Sequence, residues 1–345
     1  MKSSLGTEPL EKNDYLPINY WHSAQSTVLV VDDHPTSRMA ATAFLSADGY
    51  EVLEAASGKE ALKQAAEHNP DLILLDIMLP QLDGFEVCRC LKQNSQTNAI
   101  PVVFVTVNED RQYRQESMAA GGDDLLIKPL DRLELSARVK SLIRQKKLNE
   151  DLNQTERLLF SIAKAIERRD SEPGCFGDRI SALVKAFGEY LQLSPDEIQD
   201  LLWAAYLHDI GTVGIPDAVM LKNGTLTPEE LQLVKQHVLI GEQICQPLQH
   251  RRRVLEIIRH HHERWDGSGY PDGIAGDNIP RLAQVFQIID IYDALTRQRT
   301  YKEALTPAQA LAEITEETDK QWRNPQLVKQ FTDFIHNYLE SINSL

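Results

Sequence analysis

Basic residues are in short supply. Lysine and arginine number 36 against 51 aspartates and glutamates, a formal net charge of −15. Such a balance disfavours broad binding to nucleic acid, so no DNA binding is expected. Long hydrophobic runs are missing as well. No stretch approaches the roughly 18 uncharged apolar residues that a membrane helix needs, so no membrane segment is expected. The N-terminus lacks the basic-then-apolar pattern of a secretory signal. Cysteine is scarce: Cys88, Cys90, Cys175 and Cys245 are the whole set. So few thiols in a chain without a signal read as reduced, which places the protein in the cytoplasm. Cys88 and Cys90 do not have the spacing of a zinc knuckle, and they are assigned no function.

The length of 345 residues suggests a multidomain chain with enough material for two cores. Residues 1–26 are polar and aperiodic and read as a poorly ordered tail, with Tyr15, Tyr20 and Trp21 available to dock. An α/β pattern begins at Thr27. Val28-Leu29-Val30-Val31 is fully apolar, as a buried parallel strand requires. Glu51–Ala55, Leu72–Leu75, Val102–Val105 and Leu125–Ile127 follow as further strands. Strands alternating with helices predict a doubly wound, five-stranded parallel sheet of the flavodoxin-like type. Sheets of this kind bind ligands outside the carboxyl ends of their strands. Asp32, Asp33, Asp76, Thr106 and Lys128 all fall there. Three carboxylates suit Mg²⁺, and Asp76 can act as a nucleophile toward a phosphoryl donor. Capping of strand ends would explain one or two of these polar residues, not all of them.

Residues 27–145 resemble the receiver domain of two-component response regulators. The likeness rests on Asp32-Asp33, on Asp76-Ile77-Met78-Leu79-Pro80 with Asp83-Gly84, on Thr106 and on Lys128-Pro129. It implies that Asp76 is the phosphoacceptor and that Asp32 and Asp33 are the acidic pair for Mg²⁺. Thr106 and Lys128 would hold the phosphoryl oxygens, and a sensor histidine kinase would be the partner. One position departs from the family. Three residues before the lysine, where the family carries a Tyr or Phe that swings inward on phosphorylation, stands Leu125.

From Leu133 the pattern is helical, and neither proline nor glycine interrupts residues 131–172. Leu135, Val139, Leu142 and Ile143 form an apolar face, which Leu148, Leu152 and Leu158-Leu159 extend. Asn149 and Asn153 dilute any heptad, so a long regular coiled coil is not expected. Residues 146–165 read as a helical connector, paired with its copy in a homodimer. Residues 166–345 read as all helical. Ser194-Pro195-Asp196-Glu197, Thr227-Pro228-Glu229-Glu230 and Thr306-Pro307 mark helix starts there. The Arg251-Arg252-Arg253 run reads as a solvated helix face, and no chemistry is expected beyond Thr306.

The densest chemistry lies in His261-His262-Glu263-Arg264-Trp265-Asp266-Gly267-Ser268-Gly269-Tyr270-Pro271. Two imidazoles end an apolar helix, and a glycine-rich loop follows. Neutral imidazole is the commonest protein metal ligand, and glycine lets backbone approach a ligand closely. Leu201–Leu207 is a second apolar helix, and it runs into His208-Asp209. His237 starts another predicted helix. Asp290 sits inside the apolar run Val285–Ile291, where a carboxylate is expensive unless paired or bound to a metal. Ligand groups on several separate apolar helices point to a metal centre.

His208-Asp209-Ile210-Gly211, His237 with Gly241, the His261–Pro271 stretch and Asp290–Thr296 with Arg299, Tyr301 and Lys302 resemble the HD-GYP phosphohydrolases of the HD superfamily. The resemblance implies an all-α HD-type domain that hydrolyses a phosphodiester bond in a cyclic nucleotide, cyclic di-GMP above all. It implies two iron or manganese ions held by His208, Asp209, His237, His261, His262 and Asp290, with Asp209 as the bridge. Glu167 matches a glutamate that binds an additional metal in some members. His208, Asp209 and Tyr270 are the implied catalytic residues, and Arg299, Lys302 and Tyr270 the implied substrate contacts. Two positions break the pattern. A family histidine is replaced by Phe176, which cannot ligate, with Asp178 the alternative donor in that segment. A family lysine is replaced by Thr212, which brings no charge. An inactive module that binds a nucleotide or a protein partner is therefore the alternative reading.

Overall fold

The computed structural model describes residues 25–107, 111–170, 176–222, 224–297 and 304–343, with backbone alone for 167–170, 176–178 and 341–343. The expected tail falls outside these residues but for its last two. The chain divides into two compact units, Met1–Asp151 and Leu152–Leu345.

The first unit alternates strand and helix. Its elements are β1 (Thr27–Val31), α1 (Pro35–Ala47), β2 (Glu51–Ala55), α2 (Gly58–His68), β3 (Leu72–Asp76), α3 (Gly84–Gln93), β4 (Val102–Thr106), α4 (Arg111–Ala119) and β5 (Asp124–Ile127). The sheet order is β2-β1-β3-β4-β5, and every pairing is parallel. β5 starts one residue earlier than its apolar run, at Asp124. Side chains alternate across the sheet, as the two-residue period of a strand dictates. Leu29, Val31, Ile73, Leu75, Val102 and Phe104 share a core with α2 and α3. Val28, Val30, Leu72, Leu74, Val103 and Val105 share another with α1 and with Leu135, Val139 and Ile143. Both faces are covered, which is why the strands read as unbroken apolar runs.

α5 (Arg132–Asp170) is a single helix of 39 residues, and the division into two units falls within it. The second unit continues with α6 (Phe176–Tyr190), α7 (Pro195–Leu207), a 3-10 turn (Ile210–Gly214), α8 (Asp217–Met220), α9 (Pro228–Lys235), α10 (His237–Ile244), α11 (Arg252–His260), α12 (Arg281–Thr296), α13 (Pro307–Asp319) and α14 (Pro325–Asn343). Capping boxes start α7 at Ser194, α9 at Thr227 and α13 at Thr306. Each satisfies two backbone N–H groups that the first helical turn leaves open. One core joins α6, α7, α12, α13 and α14, with Phe187 edge-on to Phe331 at 4.9 Å. A second joins Leu159 and Ala163 of α5 to Trp203, Leu207 and α11. Among the described residues, no helix is long and apolar enough to cross a membrane.

The triple-arginine run is not a uniformly solvated face. Arg251 lies over the Trp203 ring at 4.8 Å and meets Glu156 at 3.3 Å. Arg253 pairs with buried Asp200 at 2.6 Å. Arg252 is the most solvated of the three, its side chain 86% exposed. Charge in a sequence reveals nothing about the distant acid and indole that receive it.

Gly211 sets the closest approach in the second unit. A Cβ there would stand 1.9 Å from the His237 carbonyl oxygen and 2.5 Å from the Gly241 amide nitrogen. Backbone cannot yield as a side-chain tip can. Gly211→Ala should destabilise this unit by about 3 kcal/mol or more, read as a lower denaturation midpoint. A midpoint equal to that of the native protein would show that the turn and α10 are not locked together.

Candidate functional site

Three helix ends and the middle of a fourth helix converge in the second unit. α7 delivers His208 at its C-cap and Asp209 immediately after. α9 stops at Lys235 and α10 restarts at His237, so that imidazole sits at a helix start. α11 closes at His261, with His262 next. α12 carries Asp290. Ring centroids lie 4.1 Å apart for His261 and His262, 5.1 Å for His237 and His262, and 5.4 Å for His208 and His261. Ligand atoms of Asp209, His237, His261 and His262 all fall within 4.8 Å of one another.

Backbone carbonyls aim the rings. His237 Nδ1 lies 2.7 Å from the Val234 oxygen, and His261 Nδ1 lies 2.8 Å from the Ile258 oxygen. Both carbonyls can only accept, so each Nδ1 carries the proton and each Nε2 presents a lone pair. His237 Nε2 and His261 Nε2 are buried and have no hydrogen-bond partner. Two orphaned, inward-facing imidazole nitrogens beside a carboxylate fit a divalent cation. The charge state of His261 and His262 fits as well, since ligation needs neutral rings. Burial and the neighbouring His262 and His208 hold His261 well below the usual imidazole range. Burial, with His237, pushes His262 down to about 3.

Asp209 faces two rings at once. Its Oδ2 is 3.2 Å from His208 Nε2, and its Oδ1 is 3.5 Å from His237 Nε2. Asp290 Oδ1 approaches His208 Nε2 at 3.7 Å. Desolvation disfavours the carboxylate of Asp209, but His208, His237 and His261 outweigh it and hold the group well below its ordinary range. Burial likewise opposes charge on His208, yet Asp209 and Asp290 lift it to about 10.

The loop after His262 is pinned from beneath. Glu263 is fully buried, and its Oε1 accepts from the Asp272 and Gly273 amides at 2.7 and 3.1 Å. Gln287 Nε2 on α12 donates to the His261 and Glu263 carbonyls at 2.9 and 2.5 Å. A Cβ on Gly269 would stand 2.3 Å from the Arg264 amide nitrogen, so this turn also requires glycine. The loop thereby lays Tyr270 on His262, stacked at 4.9 Å, with Lys235 Nζ over the tyrosine at 5.1 Å. Burial pushes the Tyr270 phenol up, so it stays a hydrogen-bond donor. Thr212 is buried and its hydroxyl donates to the Asp209 carbonyl at 2.8 Å. Glu263 and Gln287 were not singled out in the sequence; a glutamine inside the apolar face of α12 was the available signal. The side chains of Glu167, Phe176 and Asp178, and all of Arg299, Tyr301 and Lys302, lie outside the described residues.

In the first unit, β1 and β3 are neighbours whose following connections leave to opposite sides, the place where such sheets open a crevice. Asp32, Asp33 and Asp76 gather there within 4.8 Å. Lys128 Nζ spans Asp32 Oδ2 at 2.7 Å and Asp76 Oδ2 at 2.5 Å. Desolvation works against the ammonium, but these two carboxylates prevail and raise Lys128. Thr106, buried at the end of β4, pairs in register with Ile127, the residue before Lys128. Leu125 packs against the core shared with α2 and α3.

The chain matches the response regulator receiver domain over residues 28–140 and the HD domain over residues 134–327. It is 34% identical to a "Probable cyclic di-GMP phosphodiesterase" of Vibrio cholerae, over 92% of this chain and 79% of that protein. It is 35% identical to the "Cyclic di-GMP phosphodiesterase response regulator RpfG" of Xanthomonas campestris, over 83% of this chain and 82% of that protein. A "Cyclic di-GMP phosphodiesterase" of Thermotoga maritima is 33% identical, over 88% of this chain and 89% of that protein. With a receiver crevice in one unit and converging histidines in the other, this chain belongs to the response regulators in which a receiver domain is followed by an HD domain of the HD-GYP type.

Proposed function

We propose that this chain is a metal-dependent phosphodiesterase that cleaves cyclic di-GMP under control of phosphorylation at Asp76. The observation that carries the reading is the pair of buried, unpartnered Nε2 atoms of His237 and His261 beside Asp209. The similarity to proteins named cyclic di-GMP phosphodiesterases supports the choice of substrate. Asp209, His237, His261 and His262 hold one ion; His208, Asp209 and Asp290 hold a second. Mixed imidazole and carboxylate donors suit iron or manganese. Bound divalent ions supply Lewis acidity toward the phosphodiester and a more acidic water.

The chain's own groups do the rest. Glu263 and Gln287 hold the loop, so Tyr270 offers a ring face to the nucleotide and a protonated hydroxyl to an acceptor. Arg299 and Lys302 are assigned to substrate phosphate, and Glu167 to a further metal, on the family resemblance. In the receiver, Asp32 and Asp33 take Mg²⁺, Asp76 accepts the phosphoryl group from a sensor histidine kinase, and Thr106 and Lys128 bind its oxygens. We place the receiver at 27–145, the connector at 146–165 and the output domain at 166–345. Exposed Leu148, Leu152 and Leu158 on α5 support pairing of two copies through the connector. A cytoplasmic location fits both partners.

Purified full-length protein supplied with Mn²⁺ or Fe²⁺ should convert cyclic di-GMP to a linear product. His261→Ala and His262→Ala should each remove metal from the quartet, and Asp209→Ala should remove nearly all of it, as read by elemental analysis. Binding of cyclic di-GMP without cleavage under every metal condition would make the chain a binding module instead. Acetyl phosphate with Mg²⁺ should label the native receiver and leave Asp76→Asn unlabelled. Equal labelling of that variant would put the acceptor elsewhere.

A further inference from the structure

The segment between α13 and α14 brings a second arginine to the site. The Trp322 carbonyl accepts from the Trp265 amide at 2.9 Å, which fastens this segment to the signature loop. Asn324 Nδ2 donates to Gln284 Oε1 on α12 at 2.8 Å, which fastens it to the helix that carries Asp290. Between these two anchors stands Arg323, only 8% exposed. Arg264, two residues after His262, lays its guanidinium over the Trp322 ring at 3.7 Å from the centroid. Two guanidinium groups are thus held beside one end of the imidazole cluster.

Their charge is poorly answered. Glu317 meets Arg323 Nε at 2.8 Å and is the one carboxylate in ion-pair range of either arginine among the described residues. Arg323 makes one further bond, from Nη1 to the Trp322 carbonyl at 3.4 Å. Arg264 makes a single bond among the described residues, from Nη1 to Ser268 Oγ at 3.4 Å. A guanidinium offers five N–H donors, so most of the ten in this pair remain open. Burial, aided by the charge of Arg264, lowers Arg323 although Glu317 works the other way. The charge of Arg323 reaches the metal cluster: Asp290 supports it, and it helps keep the His262 ring neutral. A buried guanidinium beside a second, half-exposed one, with one carboxylate between them, favours an anion, and planar guanidinium groups match phosphate oxygens in pairs.

We propose that Arg323 and Arg264 form a phosphate-binding subsite next to the His262 side of the metal cluster, which takes a phosphate group of the cyclic dinucleotide. The assignment of the ligand to substrate rests on the function proposed above; the anion-binding character rests on the two arginines alone. Trp322 acts as the platform that holds Arg264 flat, and Glu317 orients Arg323 through Nε. The two backbone and side-chain anchors keep the pair in place before substrate arrives.

The test uses the metal-loaded, full-length protein. Arg323→Gln should raise KM for cyclic di-GMP about tenfold, the loss of one charge-assisted bond, with kcat within about twofold and metal content unchanged. Arg264→Gln should shift KM in the same direction. Inorganic phosphate should raise the melting temperature of the native protein and should do so far less for Arg323→Gln. Glu317→Gln removes the carboxylate charge but keeps an amide oxygen that can accept from Arg323 Nε, so Arg323 stays oriented and KM should not rise. Arg323→Gln with Glu317→Gln keeps the pocket neutral if the single variant folds poorly, and it should show the same raised KM. Native KM and native phosphate response in Arg323→Gln would overturn the subsite. So would a Glu317→Gln variant that reproduces the Arg323→Gln defect, since that marks a purely structural ion pair. A native protein that cleaves no cyclic dinucleotide would sink the enzymatic reading, while the phosphate arm would still decide the subsite.

Discussion

The hydrogen bonds from His237 Nδ1 to the Val234 carbonyl and from His261 Nδ1 to the Ile258 carbonyl govern the output domain. Each is a local bond within one helical turn, so it costs the fold little. Each fixes a tautomer and turns the other nitrogen inward, where it has no hydrogen-bond partner among the described residues. Burial then keeps His261 and His262 neutral at any physiological pH. A protein interior rarely leaves such nitrogens unanswered, and here the close packing of the 3-10 turn on α10 at Gly211 holds Asp209 opposite them.

The receiver solves a different electrostatic problem with the opposite means. Its three carboxylates crowd together, and a single ammonium, Lys128, sits between two of them. Phosphorylation of Asp76 in the presence of Mg²⁺ would change the charge that Lys128 answers. Leu125 leaves no aromatic ring to follow that change at the usual position. α5, which begins in one unit and ends in the other, is a continuous helical path between them.

Much of the fold was legible because its signals are local. The apolar strand runs end in Asp32, Asp76, Thr106 and Lys128, and their unbroken apolar character suffices to find them. His208, His261 and His262 could be found because they close apolar helices, and His237 because it starts one. Residues whose meaning depends on distant neighbours were harder. Arg251 and Arg253 looked like solvent-facing charge until Trp203, Glu156 and Asp200 were placed beside them. Glu263 stood in plain view inside the signature stretch, but its burial and its two loop amides follow only from the turn that brings Gly273 back to it. Arg323 lies in a segment with no motif at all, and the Trp265–Trp322 backbone bond and the Asn324–Gln284 side-chain bond fix its place.

The central claim is that the Asp209, His237, His261 and His262 quartet binds a divalent ion through imidazole nitrogen. Pulsed electron paramagnetic resonance of the Mn²⁺-loaded protein addresses it without any assumption about substrate. The expected spectrum shows nitrogen hyperfine couplings that weaken in His261→Ala and again in His262→Ala. A spectrum with oxygen ligands alone, unchanged by either substitution, would contradict it.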